Sequence, residues 1–283
     1  MQVVSFMNMK GGVGKTTLAV NVSYALAYVH KKTVLIVDGD PQFNATQYLV
    51  DDNDYLAHLE NDKKGTIRDI FVPRRPGRVS TVKGMAKPTN RTKMPLSDCS
   101  LTVFDGGQHR GKLDIIPSTL QLMDVETSSR QTEAKLKTYL KEKATGYDYV
   151  IIDCPPTISI FTQAAILASD KYLVPIKPDP LSVLGLPLLE RWLADYTDDA
   201  GTEVEQVGLV FSMVRGPTPQ VMQEVMDEMR AQRTATVFAD HLSVSTDVAR
   251  SVIAHEPIFL HRKHSRPAHQ ILRIAEEFLK RTE

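Results

Sequence analysis

A chain of 283 residues with 42% hydrophobic content has ample material for one large core, and one α/β domain is the expectation at this size. Its 34 Lys and Arg balance its 34 Asp and Glu, so the chain as a whole is no polycation and any affinity for nucleic acid must come from local patches. The two cysteines, Cys99 and Cys154, stand far apart, which argues against a disulfide framework and suits a reducing cytoplasm.

Val3-Val4-Ser5-Phe6-Met7 is short and apolar, as a buried parallel strand should be. Its early start leaves no place for a signal peptide, and no unbroken apolar run in the chain is long enough to span a bilayer. Lys10-Gly11-Gly12-Val13-Gly14-Lys15-Thr16-Thr17 follows, and Leu18 to Ala27 then repeats apolar residues at helical spacing. A glycine loop between a strand and a helix is the context that separates a working phosphate loop from a chance match. There the N–H groups of Gly11 to Thr16, helped by the helix dipole, would hold polyphosphate. Lys15 would reach the β- and γ-phosphates, and Thr16 would ligate Mg²⁺. The next strand, Thr33-Val34-Leu35-Ile36-Val37, runs into Asp38-Gly39-Asp40-Pro41-Gln42. Two carboxylates thus arrive at a strand's C-terminal end, where open α/β sheets place their ligands.

Between Phe71 and Ser97 the chain carries Arg74, Arg75, Arg78, Lys83, Lys87, Arg91 and Lys93 with no acid, broken by Pro73, Pro76, Pro88 and Pro95. This predicts a basic insertion at about 72–97 outside the core; a solvated loop is its plainer reading, contact with DNA or a partner the sharper one. Leu113 to Ser118 reads as a strand. Tyr149-Val150-Ile151-Ile152-Asp153 is an apolar strand ending in one acid, as a strand that holds Mg²⁺ through water must, and Cys154 after it reads as a small buried hydrophobe. Tyr172 to Ile176 leads into Pro178, Pro180 and Gly185-Leu186-Pro187, which predicts a switch-like loop before the helix bearing Trp192. A strand Val207–Phe211 and a helix Val221–Arg233 follow, the latter with Met222, Val225, Met226 and Met229 on one side as core filling. Ile271, Leu272, Ile274, Ala275, Phe278 and Leu279 close the chain at helical spacing. Six strands alternating with helices predict an α/β fold, a doubly wound, mostly parallel sheet with helices on both faces, in one domain spanning 1–283.

Lys10, directly before the first glycine, is what an ordinary phosphate loop does not ask for. KGGVGKTT resembles the deviant Walker A motif of the ParA/MinD family of P-loop ATPases, and DGDPQ and IIDCPP resemble that family's DxDPQ and IIDxPP segments. The chain resembles most the small ParA/Soj-like partition ATPases, because its N-terminus lacks the helix-turn-helix extension of larger plasmid ParA proteins.

This resemblance implies ATP and Mg²⁺ as cofactors and a nucleotide site formed by Lys10, Gly11, Gly12, Val13, Gly14, Lys15, Thr16 and Thr17. It implies that Lys10 crosses to the nucleotide of a partner subunit in an ATP-sandwich homodimer and that Asp40 orients the attacking water. By the same token Thr16, Asp38 and Asp153 serve the metal. It further implies nonspecific DNA binding in the ATP state, for which Arg215, Arg250, Arg262 and Lys263 are the candidates. A ParB-like or other small activating partner protein, a plasmid, chromosome or mobile-element cargo, and a cytoplasmic, nucleoid-associated location complete the expectation.

Three rival readings compete with this one. A MinD-like, membrane-associated positioning ATPase would attach through its C-terminal helix, but Glu276 and Glu277 suit a helix closing the domain better. An iron protein of the nitrogenase-like reductases needs cysteines offered to a bridging cluster. A scaffold that binds nucleotide without turnover keeps the same loop. Where many relatives carry an Ile-Pro pair near the purine, this chain reads Ala239-Asp240-His241-Leu242-Ser243-Val244, so adenine contacts do not transfer.

Overall fold

The computed structural model describes residues 1–72, 94–107, 111–125, 132–232 and 236–283. The core of the basic segment, 73–93, lies outside the described residues, as does Arg233.

Seven strands form one sheet: β1 (Gln2–Phe6), β2 (Thr33–Asp38), β3 (Leu101–Asp105), β4 (Lys112–Ile116), β5 (Tyr149–Asp153), β6 (Lys171–Ile176) and β7 (Glu205–Phe211). Their spatial order is β3-β4-β2-β5-β1-β6-β7. All pairings are parallel except β3 with β4. Strands buried on both sides alternate between two cores. Val34 and Ile36 face one of them, Leu35 and Val37 the other, as a parallel sheet covered by helices on both faces requires.

The helices are α1 (Lys15–Tyr28), α2 (Asn44–Leu49), α3 (Asp52–Glu60), α4 (Ile67–Phe71), α5 (Leu96–Cys99), α6 (Ala134–Lys143), α7 (Ile160–Ala168), α8 (Pro180–Asp199), α9 (Gln220–Gln232), α10 (Thr246–Ile253), α11 (Ile258–His261) and α12 (Arg266–Thr282). Leu18, Leu26, Ile258, Ile271, Ile274 and Phe278 fill the core shared by α1, α11 and α12; residues of α4, α6, α7, α8 and α9 fill the other. The methionines of α9, Met222, Met226 and Met229, are buried as expected. α12 covers the sheet with its apolar side, and Arg281 near its end donates to the carbonyls of Val207 and Val237 while lying 4.4 Å over the ring of Phe238. The helix is therefore fastened at its last turn.

Two expectations are corrected. Gly185-Leu186-Pro187 does not form a loop. It lies inside α8, whose start is set earlier by Asp179, the carboxylate of which accepts from the N–H of Ser182, with Pro180 in the first turn. Pro187 removes one helical N–H, but Leu186, Leu189 and Leu193 are buried against the core and hold the helix together. The expected six strands are seven: β3 is an added antiparallel edge strand, half exposed and bulged near Thr102 and Phe104, a device that blunts an open edge. The short helices α2 to α5, α10 and α11 also go beyond the expected alternation, and α5 forms where the insertion was expected to end.

Candidate nucleotide-binding site

β1 delivers the glycine loop to the C-terminal end of the sheet. Gly12 and Gly14 take φ of +70° and +77°, the left-handed region in which a side chain is strained. The curl they permit turns backbone N–H groups inward and starts α1 at Lys15. Ser212, past the end of β7, donates its hydroxyl to the carbonyl of Val13 and braces the loop from outside. Asn8 does so from below, giving its amide to the carbonyl of Pro175 at 2.8 Å and accepting the N–H of Lys10 at 3.0 Å.

Lys15 is buried, and its ammonium rests on the carbonyl of Lys10 at 3.2 Å. Burial holds its pKa below the usual lysine value, with Asp153 opposing, so the site favours an anion beside this cation. Thr16 donates to Asp153 Oδ2 at 2.7 Å. Asp153 is fully buried and its Oδ1 has no hydrogen-bond partner. A buried carboxylate oxygen left in that state calls for a donor such as the water shell of a cation.

Asp38 stands directly beside Asp153 in the β2–β5 register. Its carboxylate accepts from the N–H of Asp40 and from both the N–H and the hydroxyl of Thr46. It thereby folds the 39–46 turn around itself. Burial first, and the neighbouring carboxylates next, push Asp153 up to about 8, and burial pushes Asp38 up to about 7. Gly39 is required between them, because a Cβ there would sit 2.9 Å from the carbonyl oxygen of Asp153. Asp40 is buried at the rim and accepts the N–H of Gln42 at 2.9 Å. Among the described residues no group of three or more His, Cys, Asp or Glu could hold a metal ion by itself.

Lys10 projects away from this cradle. Its ammonium is bidentate on Asp179, at 2.8 and 2.9 Å, with 36% of the side chain exposed. Cys154 is buried, and burial pushes its thiol up to about 12, so it is an inert hydrophobe.

The candidate DNA contacts are placed less compactly. Arg250 is exposed on α10, and Arg262, just past α11, lies 3.8 Å from Asp247 of α10. These two and Lys263 therefore share the α10–α11 surface, while Arg215 is exposed on a different loop, beyond β7.

Sequence reasoning missed Asn8, Gly39, Thr46, Asp179 and Ser212. Gly39, between the two acids, carried a local signal. Asp179 and Ser212 meet the loop only across the sheet.

A strand, a left-handed glycine loop, a helix and two buried carboxylates at the ends of neighbouring parallel strands define a P-loop nucleotide-binding protein of the doubly wound α/β class. A family model described as an AAA domain matches residues 1–204. The chain is 31% identical over 282 residues to the sporulation initiation inhibitor protein Soj of Bacillus subtilis, covering 98% of this chain and 97% of the relative. It is 26% identical to the chromosome partitioning protein ParA of Myxococcus xanthus, covering 99% and 88%. In fold, a plasmid partition protein of Borrelia burgdorferi bound to AMPPNP matches at a TM-score of 0.75, with 20% identity over 99% of this chain and 98% of that one. The chain belongs to the ParA/Soj-like family of partition ATPases.

Proposed function

We propose that this protein is an ATPase that closes into a homodimer around two ATP·Mg²⁺, binds DNA without sequence preference in that state, and so segregates or positions a plasmid, chromosome or mobile element. The whole chain acts as one ATPase domain, in the cytoplasm and on the nucleoid when ATP is bound. The observation that carries this reading is the position of Lys10, a half-exposed cation beside the phosphate loop whose charge is spent on Asp179 rather than in its own cradle. An exposed ion pair is worth little, so Lys10 can exchange Asp179 for phosphates presented by a second subunit.

In the cradle, the N–H groups of Gly11 to Thr16 take the phosphates, and Lys15 leaves the neutral carbonyl of Lys10 for the β- and γ-oxygens. Thr16 and Asp153 would hold the hydrated Mg²⁺, with Asp38 fixing the turn behind them. Held there, the ion would supply positive charge against the charge that develops on the phosphates. Asp40 orients the water for in-line attack on the γ-phosphate, while Lys15 and the partner's Lys10 stabilise the charge that spreads over the equatorial oxygens. A ParB-like or other small partner protein triggers hydrolysis, and the subunits part.

Membrane attachment through α12 is disfavoured because Ile271, Ile274, Ala275 and Phe278 are already buried under the sheet. No helix of the described residues is long and apolar enough to cross a membrane. Parallel ATP-dependent binding assays on random-sequence DNA and on anionic liposomes test the reading. DNA binding alone supports it; liposome binding alone would point to a membrane-positioning ATPase instead.

A further inference from the structure

Asp114 sits in the middle of β4, 1% exposed, among the buried Leu113, Ile115 and Ile116. A carboxylate in such a place must be compensated. Lys112 lies 2.7 Å from its Oδ2, Thr102 of β3 donates to its Oδ1 at 2.6 Å, and Tyr147 donates to Oδ2. All four residues line one cleft of about 440 Å³, a volume within the range of small-ligand pockets. Lys112 opens β4 and Tyr147 precedes β5, so the cleft lies toward the N-terminal ends of the parallel strands. The glycine loop lies at their C-terminal ends, and the cleft shares no lining residue with it or with the 38–46 turn.

The hydrogen bonds fix what this cleft offers an occupant. Thr102 and Tyr147 each spend their one hydroxyl proton on Asp114, so only their acceptor lone pairs are left for a ligand. Lys112 meets Asp114 with one N–H and keeps the others. Lys64, which follows α3, also lines the cleft; it donates to the carbonyl of Ser97 at 2.7 Å and lies 3.9 Å from Asp98. A long, partly exposed ion pair is worth little, and a phosphate takes an ammonium from it by charge and by shorter hydrogen bonds. The aliphatic lining is limited to Leu96 and Leu101, too little to hold an apolar molecule. We infer that this cleft binds a small phosphorylated polyol, a sugar phosphate by class, whose phosphate takes the N–H groups of Lys64 and Lys112 and whose hydroxyls donate to Thr102 and Tyr147. Asp114 touches none of the ligand. It holds the two hydroxyls and Lys112 in place beforehand, so that an occupant does not bear the cost of ordering them. The site is independent of what the nucleotide loop does.

The test titrates the nucleotide-free full chain calorimetrically with glucose 6-phosphate, ribose 5-phosphate and glycerol 3-phosphate, beside glucose and inorganic phosphate as controls. At least one of the three phosphorylated probes should saturate one site per chain below about 10 mM, and more tightly than either control. Lys15→Ala should bind that probe as wild type does, because the glycine loop takes no part. Lys64→Ala should weaken it by about tenfold, the loss of one charge-assisted hydrogen bond. Ser97 is an exposed residue of the lining, so Ser97→Trp fills the cleft without disturbing a buried group and should abolish binding. Circular dichroism and ATP affinity should match wild type in both cleft variants. Absence of saturable binding by all three probes overturns the proposal, as does unchanged affinity in Lys64→Ala or in Ser97→Trp. Loss of binding in Lys15→Ala overturns it by placing the probe in the glycine loop, and inorganic phosphate binding as tightly as the phosphorylated probes overturns it by showing an adventitious ion only.

Discussion

Lys15 makes one weak contact, to a neutral carbonyl at 3.2 Å, and a phosphate oxygen outcompetes that acceptor by charge. Lys15→Ala should abolish ATP binding in a calorimetric titration while the melting profile stays that of a folded protein; undiminished affinity would remove Lys15 from the site. A second residue-scale effect concerns pH. His241 is held below the usual histidine value near 6.5, first by burial and then by the charges of Arg266 and Arg230, with Asp240 opposing and Arg273 adding. A histidine whose folded pKa is depressed contributes stability that is fully present above its unfolded value and is lost as pH falls through the folded one. The melting temperature should therefore decline on acidification below about 6.5, and less steeply in His241→Gln; parallel declines would assign the loss elsewhere. The loop glycines, Lys10, Lys15, Thr16, Asp38, Asp40 and Asp153 are legible as candidates because the chemistry of phosphate binding is local in sequence. The partner of Lys10 was not, since Asp179 is 169 positions away and is brought near only by the β1–β6 pairing.

The strand ends set the tolerance of the site. Gly39 lies between β2 and the turn that Asp38 organises, and its N–H donates to the carbonyl of Asp153 at 2.9 Å. An added Cβ meets backbone there, not a yielding side chain. Gly39→Ala should cost about 1–3 kcal/mol of stability by overpacking and weaken nucleotide binding as well, because Asp38 and Asp153 must separate. A variant as stable as wild type with full affinity would show that the strands can part at no cost. Long elements such as α9 and α12 are readable because one buried face repeats along each, and α1 because a run of small apolar residues, buried nearly all round, follows the glycine loop. β3 was not: Leu101 to Phe104 gives no clean alternation, and its identity comes from pairing with β4. Gly185 and Pro187 suggested a loop by composition, whereas the signals that govern α8 are its cap and the leucines buried beneath it.

At the scale of the whole molecule, equal numbers of acids and bases leave no net field to attract DNA, so affinity must come from clustering and from pairing of subunits. The α10–α11 surface gathers Arg250, Arg262 and Lys263, and on the proposed reading a dimer would present it twice and turn weak phosphate contacts into strong ones. DNA binding should then require ATP, fall steeply with salt and weaken for every sequence alike in Arg250→Glu, with dimerisation intact. Normal binding by that variant, together with loss on deleting residues 74–93, would place the contact on the basic segment instead. The fold class is legible from alternating strands and helices, and the candidate cations Arg250, Arg262 and Lys263 are legible one by one; their meeting on the α10–α11 surface is not, because the Arg262–Asp247 contact that brings it about joins two short helices. The central claim is that ATP closes two copies through Lys10, and light scattering with ATP and Mg²⁺ tests it most directly. The mass of wild type and of Asp40→Ala should double, while Lys10→Ala binds ATP yet keeps the mass of one chain. A Lys10→Ala protein that doubles like wild type, or a wild type whose mass ignores ATP, would contradict the account.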